Sequence, residues 1–142
     1  MTKEKNSYCK CLYYSGNALA RIMTKMAEEE FSVVNLAPSY AFMVMSVNNN
    51  PGIQAGELAS YMMLTPSTVT RLIEKLEFQE LVYRQTDGRI THVFPTEKAL
   101  SINDAVKSAW LNLYKRYSGI LGEENVVKLT DDIYKAVLKL DG

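Results

Sequence analysis

Hydroxyl and cationic side chains are concentrated in one short stretch, residues 65–75, which reads Thr-Pro-Ser-Thr-Val-Thr-Arg-Leu-Ile-Glu-Lys. Hydroxyl groups can bond to phosphate oxygens and base edges, a guanidinium can pair with guanine or grip a phosphate, and an ammonium neutralises phosphate charge. The side chains with this chemistry are Thr65, Ser67, Thr68, Thr70, Arg71 and Lys75. Together they indicate a surface that binds nucleic acid.

The spacing of residues in this stretch predicts a helix that is capped at Thr65 and ends near Phe78. The Thr65 hydroxyl can cap the helix, and Pro66 suits the first helical position because its missing N–H would have no partner there. Apolar residues recur at helical spacing along one face: Val69, Leu72, Ile73 and Leu76. That face should pack while the polar face contacts a ligand, although an ordinary amphipathic surface helix shows the same pattern.

The neighbouring segments predict a helix-turn-helix followed by a β-hairpin. A short helix over residues 54–62 precedes the stretch, and so tight a connection between two short helices is typical of a helix-turn-helix. After the stretch, Asp87-Gly88 lies between two runs rich in β-branched and aromatic residues, 81–85 and 90–94. This pattern predicts a hairpin, or wing. Ile53 is a candidate for one more short strand.

Long helices are predicted on both sides of this unit. Apolar residues recur at helical spacing over residues 8–30, 97–117 and 123–140, and a helix that opens at Pro38 is apolar nearly all round and should be buried. Terminal stripes of this length often pair with another subunit. The predicted fold class is mainly α with a small β-hairpin wing, a winged helix-turn-helix flanked by N- and C-terminal dimerisation helices.

Composition limits the class of protein. The chain has 142 residues, 47% of them hydrophobic, and its 16 basic and 16 acidic side chains cancel, so we expect one domain whose nucleic-acid surface is a local patch. No apolar run approaches a membrane span and the N-terminus lacks signal-peptide character, which favours a cytoplasmic protein. Since no phosphate-binding glycine loop, nucleophile elbow, paired carboxylate motif or metal framework is present, we expect neither cofactor, metal nor enzymatic activity.

The element order and several spaced motifs resemble the MarR family of bacterial transcriptional regulators. The matching residues are Gly52-Ile53, Glu57-Leu58-Ala59, Ser67-Thr68-Val69-Thr70-Arg71, Lys75-Leu76-Glu77, Leu81-Val82, Arg84, Asp87-x-Arg89, Val93 and Thr96-Glu97-Lys98. The resemblance implies one domain over residues 1–142, with the winged helix at about 52–96 and dimerisation helices at about 7–30 and 97–140. One departure is Glu80, which stands where the family usually ends its recognition helix with glycine, so a left-handed residue there would carry a cost.

The resemblance also implies a function. MarR-type proteins are homodimeric, sequence-specific regulators of transcription, and we expect a repressor that a small molecule or thiol oxidation releases from a pseudo-palindromic operator in double-stranded DNA. Arg89 at the wing tip resembles the family residue that enters the minor groove, with Asp87 as its orienter. Without the family pattern, Arg89 would be interpreted as a solvated charge of the turn. The alternative is a winged-helix protein-interaction module that does not bind DNA, which the neutral net charge suits.

The sequence leaves two kinds of regulatory signal possible, a small-molecule effector and thiol oxidation. In the family, small aromatic or anionic molecules bind between the dimerisation helices and the winged helix, and five residues could line such a site here: Tyr13, Tyr14, Arg21, Tyr40 and Trp110. Packing in the core or in the dimer interface is the alternative role for these side chains. Cys9 and Cys11 are the redox candidates, because Cys9-x-x-x-Tyr13 resembles a peroxide-sensing motif of the family; otherwise they are small apolar residues.

Overall fold

The computed structural model describes residues 6–142, which form seven α-helices and a small three-stranded antiparallel sheet. The helices are α1 (Leu12–Phe31), α2 (Pro38–Asn49), α3 (Ala55–Met62), α4 (Pro66–Phe78), α5 (Glu97–Ser101), α6 (Asn103–Leu121) and α7 (Glu123–Asp141), and the strands are β1 (Ile53–Gln54), β2 (Val82–Asp87) and β3 (Ile90–Pro95). The predicted fold class is confirmed. No helix within residues 6–142 combines the length and the hydropathy that a membrane crossing requires.

The strands pair in the order β1-β3-β2, and β2 with β3 forms the wing. Asp87 pairs with Ile90, so the turn consists of Gly88 and Arg89, with Gly88 left-handed at φ 63°. The predicted hairpin and the short strand at Ile53 are confirmed. Asp87, however, belongs to the strand, because a two-residue turn with glycine first matches the twist of the two strands.

Helix α2 lies at the centre of the core. Its side chains that are at most 5% exposed are Ala41, Met43, Val44, Met45 and Val47. Leu58 of α3, Val93 of β3 and Val106 of α6 belong to the same buried cluster, together with the apolar face of α4. The predicted burial of α2 is therefore confirmed, and the winged helix and the long helices share one core.

The helix predicted over residues 97–117 is instead two helices, α5 and α6, which meet at Ile102. The Asn48 side-chain amide of α2 donates hydrogen bonds to the Ala99 carbonyl oxygen at 3.0 Å and to Asn103 Oδ1 at 3.1 Å. In a continuous α-helix the Ala99 carbonyl would accept from the Asn103 N–H. A side chain about fifty residues away thus supplies a competing partner, which the local apolar spacing cannot reveal.

The acidic end of α1 is stabilised by one arginine of α6. Arg116 Nη1 lies 2.9 Å from Glu29 Oε2 and 3.1 Å from Glu30 Oε2. Hydrogen bonds to Glu29 and then Glu30 raise the pKa of the Arg116 guanidinium, which keeps its charge. The cation also offsets the unfavourable placement of carboxylates at a helix C-terminus, so α1 and α6 are joined there.

Helix α7 leaves its apolar face uncovered. The sequence predicts a dimerisation helix here, and Val126 is the buried residue of α7 in the single chain. Leu129, Ile133, Val137 and Leu140 are 42%, 44%, 39% and 80% exposed. Helix α7 packs mainly along α6, which covers only its beginning and leaves the rest of the apolar face exposed.

Position 52 requires glycine, because both the backbone conformation and the neighbouring side chain disfavour a Cβ atom there. Its φ is 84°, and a Cβ there would lie 3.1 Å from Phe94 Cε1. We expect Gly52→Ala to lower the free energy of unfolding by about 1–3 kcal/mol in urea denaturation. The matched control is Gly56→Ala, where nothing lies within 4 Å of the added Cβ and helix α3 should gain roughly 0.5–1 kcal/mol. Equal stability of Gly52→Ala and the wild type would contradict this account.

Candidate nucleic-acid interface

The recognition helix, α4, begins where the sequence predicts. Thr65 has an extended backbone (φ −72°, ψ 150°), and its hydroxyl accepts a hydrogen bond from the Thr68 N–H at 3.4 Å. Pro66 occupies the first helical position. The predicted cap and start are confirmed, so the first turn presents its N-terminal N–H groups and hydroxyls at a defined place.

One face of α4 is anchored and the other faces solvent. The apolar side chains Val69, Leu72, Ile73 and Leu76 are at most 6% exposed. Ser67, Thr70, Arg71, Glu74 and Lys75 are exposed, and Thr68 is half-buried. The predicted division of the helix is confirmed, except that Thr68 is partly covered.

The threonine hydroxyls of this face are engaged within the helix. Thr65 Oγ1 lies 2.9 Å from Thr68 Oγ1 as the donor, and Thr70 Oγ1 donates to the Pro66 carbonyl oxygen at 3.0 Å. A hydroxyl that already donates its one proton can still accept a hydrogen bond, but it cannot donate a second one to a phosphate. Within residues 6–142, Arg71 has no ion-pair partner, so it offers its guanidinium outward.

Lys75 is placed at the side of the helix that borders α2. Its Nζ lies 6.0 Å from the centroid of the Tyr40 ring, at the limit of a cation–π contact. Tyr40 therefore supports the ammonium of a predicted DNA-binding residue, a role that differs from the predicted effector contact. The side chain of Lys75 remains exposed.

The wing tip carries Arg89, which is exposed in the two-residue turn. The predicted orientation of Arg89 by Asp87 is not seen: among residues 6–142 no ion pair joins the two side chains. Instead, Arg84 Nη2 of β2 pairs with Glu77 Oε1 of α4 at 2.7 Å. This pair links the wing to the recognition helix. The sequence does not predict the pair, because Arg84 and Glu77 lie on separate elements.

The exit from α4 adopts a left-handed geometry without glycine. Glu80 has φ 59°, and the Leu81 N–H donates to the Leu76 carbonyl oxygen at 2.9 Å, as at a helix C-terminus closed by glycine. Thr96 Oγ1 donates to the Glu80 carbonyl oxygen at 2.7 Å, and Lys98 Nζ donates to that of Gln79 at 2.9 Å. The bonds from residues 96 and 98 offset the cost that the sequence predicts for Glu80.

The five predicted effector residues do not form one site in the single chain. Tyr14 packs on Tyr8 with ring centroids 5.7 Å apart, near exposed Tyr13. Trp110 packs edge-on against Phe42 at 6.1 Å. Arg21 is exposed on α1, and Tyr40 lies beside Lys75 as described above.

The two cysteines are exposed free thiols. Residues Ser7–Lys10 form a 3₁₀ turn, and Cys11 is extended (φ −89°, ψ 122°) before α1 begins. Cys9 and Tyr13 are therefore not one turn apart on a continuous helix, as the resemblance to a peroxide-sensing motif would require. The Asn6 side chain, which accepts from the Tyr8 N–H at 2.8 Å, caps this separate turn.

His92, the single histidine of the chain, lies on β3. Its Nδ1 is 2.9 Å from the Gly52 carbonyl oxygen, so the imidazole ties the turn before β1 to the wing. Across residues 6–142, no group of three His, Cys, Asp or Glu side chains is arranged to hold a metal ion.

The fold and this surface define a winged helix-turn-helix protein. Residues 38–89, from the start of α2 to the wing tip, match the model of the MarR family, and the resemblance predicted from the sequence is confirmed. YybA of Bacillus subtilis (strain 168), an uncharacterised HTH-type transcriptional regulator, is 29% identical over 87 residues, which are 59% of this chain and 58% of that protein.

Solved structures share the fold over nearly the whole chain. The transcriptional repressor CouR bound to a 23-mer DNA duplex superposes with a TM-score of 0.84 at 17% identity, covering 96% of this chain and 99% of that one. CouR from Rhodococcus jostii RHA1 bound to p-coumaroyl-CoA gives a TM-score of 0.77 at 17% identity, covering 91% and 93%. At these identities the likeness establishes the common architecture.

Proposed function

We propose that this protein is a cytoplasmic transcriptional regulator that binds double-stranded DNA as a homodimer and represses transcription until a small molecule releases it. The observation that carries the proposal is the capped recognition helix, whose apolar face is buried while Ser67 and Arg71 face solvent. A helix held in this way can enter the major groove with its N-terminal residues against base edges. The relatives named as transcriptional regulators support the same function.

The electrostatics of the surface suit a local contact with phosphates. Arg71, Lys75 and Arg89 are exposed cations on α4 and on the wing tip. The carboxylate of Glu77 is paired with Arg84 at 2.7 Å, so the ion pair reduces its repulsion of DNA. A neutral chain can therefore carry a DNA-binding surface, since the contribution of each phosphate contact is local under physiological screening.

The exposed apolar faces support a homodimer. Leu129, Ile133, Val137 and Leu140 recur at helical spacing on α7, and Leu111 and Ile120 of α6 are also more than half exposed. Each such side chain contributes about 1.5–3 kcal/mol when it is fully buried, so a second copy covering these faces would be stabilised. Two winged helices held in this way would read two half-sites about one turn of DNA apart.

A groove between α2 and the end of α3 suits a small aromatic effector. It is lined by Pro38, Ser39, Phe42, Ser46, Tyr61, Met62, Met63 and Leu64. None of these residues is charged, so the groove favours a neutral ligand over the anionic class that the resemblance also allows. Leu64 directly precedes the cap of the recognition helix, so an occupant would contact the connection that orients α4.

Removal of either exposed arginine should weaken DNA binding without unfolding the protein. We expect Arg71→Ala and Arg89→Ala each to raise the Kd for a selected duplex by roughly five- to a hundredfold and to reduce the salt slope by about one. Fluorescence anisotropy at several salt concentrations measures both quantities. Lys128→Ala, on the polar face of α7, is the charge-matched control and should bind as the wild type does. Unchanged affinity in both arginine variants would overturn the assignment.

A charge on the uncovered face of α7 should separate the dimer. Ile133→Glu places a carboxylate among exposed apolar residues, and burying it would cost several kcal/mol per protomer. Sedimentation equilibrium at micromolar concentration should give the dimer mass for the wild type and the monomer mass for this variant. Lys128→Glu, on the opposite face, should remain dimeric. A monomeric wild type would count against the proposal.

A neutral aromatic ligand should quench or shift the fluorescence of Trp110, the single tryptophan of the chain, because Trp110 packs against Phe42 of the groove. We expect neutral phenols to change this fluorescence saturably and to release DNA, whereas benzoates of the same size do so only at much higher concentration. If the benzoates act at lower concentration than the phenols, the inferred ligand class is wrong.

A further inference from the structure

The end of the recognition helix and the start of α5 are joined by a set of hydrogen bonds. We define the α4–α5 junction as Gln79, Glu80, Leu81, Thr96 and Lys98. The Thr96 N–H donates to the Leu81 carbonyl oxygen at 3.1 Å, and the Thr96 hydroxyl donates to the Glu80 carbonyl oxygen at 2.7 Å. Lys98 Nζ donates to the Gln79 carbonyl oxygen at 2.9 Å. Residues 79–81 therefore depend on α5 for three hydrogen bonds.

These bonds matter because the backbone at Glu80 is left-handed without glycine, at φ 59°. A non-glycine residue in this conformation persists only where its surroundings hold it. The carbonyl groups that follow a helix have no helical partner, and the ammonium of Lys98 suits the negative end of the α4 dipole. The same Thr96 hydroxyl accepts from the Ala99 N–H at 3.2 Å, so one side chain caps α5 and closes the end of α4.

The other end of α5 is fixed to the core. Asn48 of α2 donates to the carbonyl of Ala99 and to the side chain of Asn103, on either side of Ile102 where α6 departs. The start of α5 is thus bonded to residues 79–81, which follow the recognition helix. Helix α6 begins directly after the last turn of α5. Because α6 is one of the helices with exposed apolar side chains, the geometry of α5 relates the recognition helix to the proposed dimer interface.

We propose that Thr96 and Lys98 are positioning residues that set the separation of the two recognition helices, and thereby the spacing of DNA half-sites that the protein accepts. The inference rests on the proposed function as a dimeric DNA-binding protein. Neither side chain is assigned a contact with DNA. Their effect passes through the backbone of residues 79–81, which connects the end of α4 to the start of α5 through these hydrogen bonds.

The test compares duplexes that differ only in half-site spacing. The probe is a duplex that the wild-type protein selects from a randomised pool, remade with one or two base pairs inserted between its half-sites. We expect Thr96→Val, which loses the hydroxyl, to bind the selected duplex roughly tenfold more weakly and to lose most of the preference for its spacing. Thr96→Ser should retain both properties. Ser101→Ala is a second control, because among residues 6–142 that hydroxyl bonds only within its own turn, to the Lys98 carbonyl oxygen.

A simple loss of stability would weaken binding to every spacing equally, so the spacing preference separates the two explanations. A Thr96→Val protein that folds, by near-ultraviolet circular dichroism and thermal unfolding, and keeps the wild-type preference would overturn the inference. Should Thr96→Val not fold, Lys98→Met, with Lys98→Arg as its matched control, carries the same test because Lys98 is exposed. If the wild type selects no duplex, the proposed function itself fails, whereas an unchanged preference in the variants defeats only the positioning role.

Discussion

The burial of one face of α4 in the core that α2 and α3 form with it is the interaction on which the rest of the structure depends. Val69, Ile73 and Leu76 are at most 1% exposed, in a core whose centre is α2. Burial of each such side chain is worth about 1.5–3 kcal/mol, which exceeds any polar contact that α4 makes on its outer face. The exposed cations of α4, Arg71 and Lys75, are thereby available for a ligand, because they are not needed to hold the helix.

The same core constrains the wing and the long helices. Val93 of β3 and Val106 of α6 pack in the cluster around α2, so the wing and the first part of α6 keep fixed positions relative to the recognition helix. Polar bonds then refine these positions. Arg84 and Glu77 join the wing to α4, and Asn48 determines where α5 gives way to α6. Apolar burial determines which elements pack together, and directional bonds determine their angles.

Glu80 illustrates how a local conflict is resolved. Its side chain disfavours the left-handed backbone that the end of α4 adopts, and hydrogen bonds from Thr96 and Lys98 hold the neighbouring carbonyl groups. A chain with glycine there would need less support from α5. In this protein the bonds that support the helix end are consequently the same bonds that join it to the start of α5.

The sequence by itself determined the elements whose signals are local. Thr65 and Pro66 marked the start of α4, glycine in the turn marked the wing, and the apolar spacing of α4 identified its buried face, because caps, turns and periodicity involve residues only a few positions apart. The tertiary structure decided what depends on distant partners: the break at Ile102 through Asn48, the engaged hydroxyls, the Arg84–Glu77 pair and the uncovered face of α7. These features could not be derived from local spacing. The hydrogen bonds and the ion pair depend on groups that only folding brings together, and the exposure of α7 depends on how much of it α6 covers.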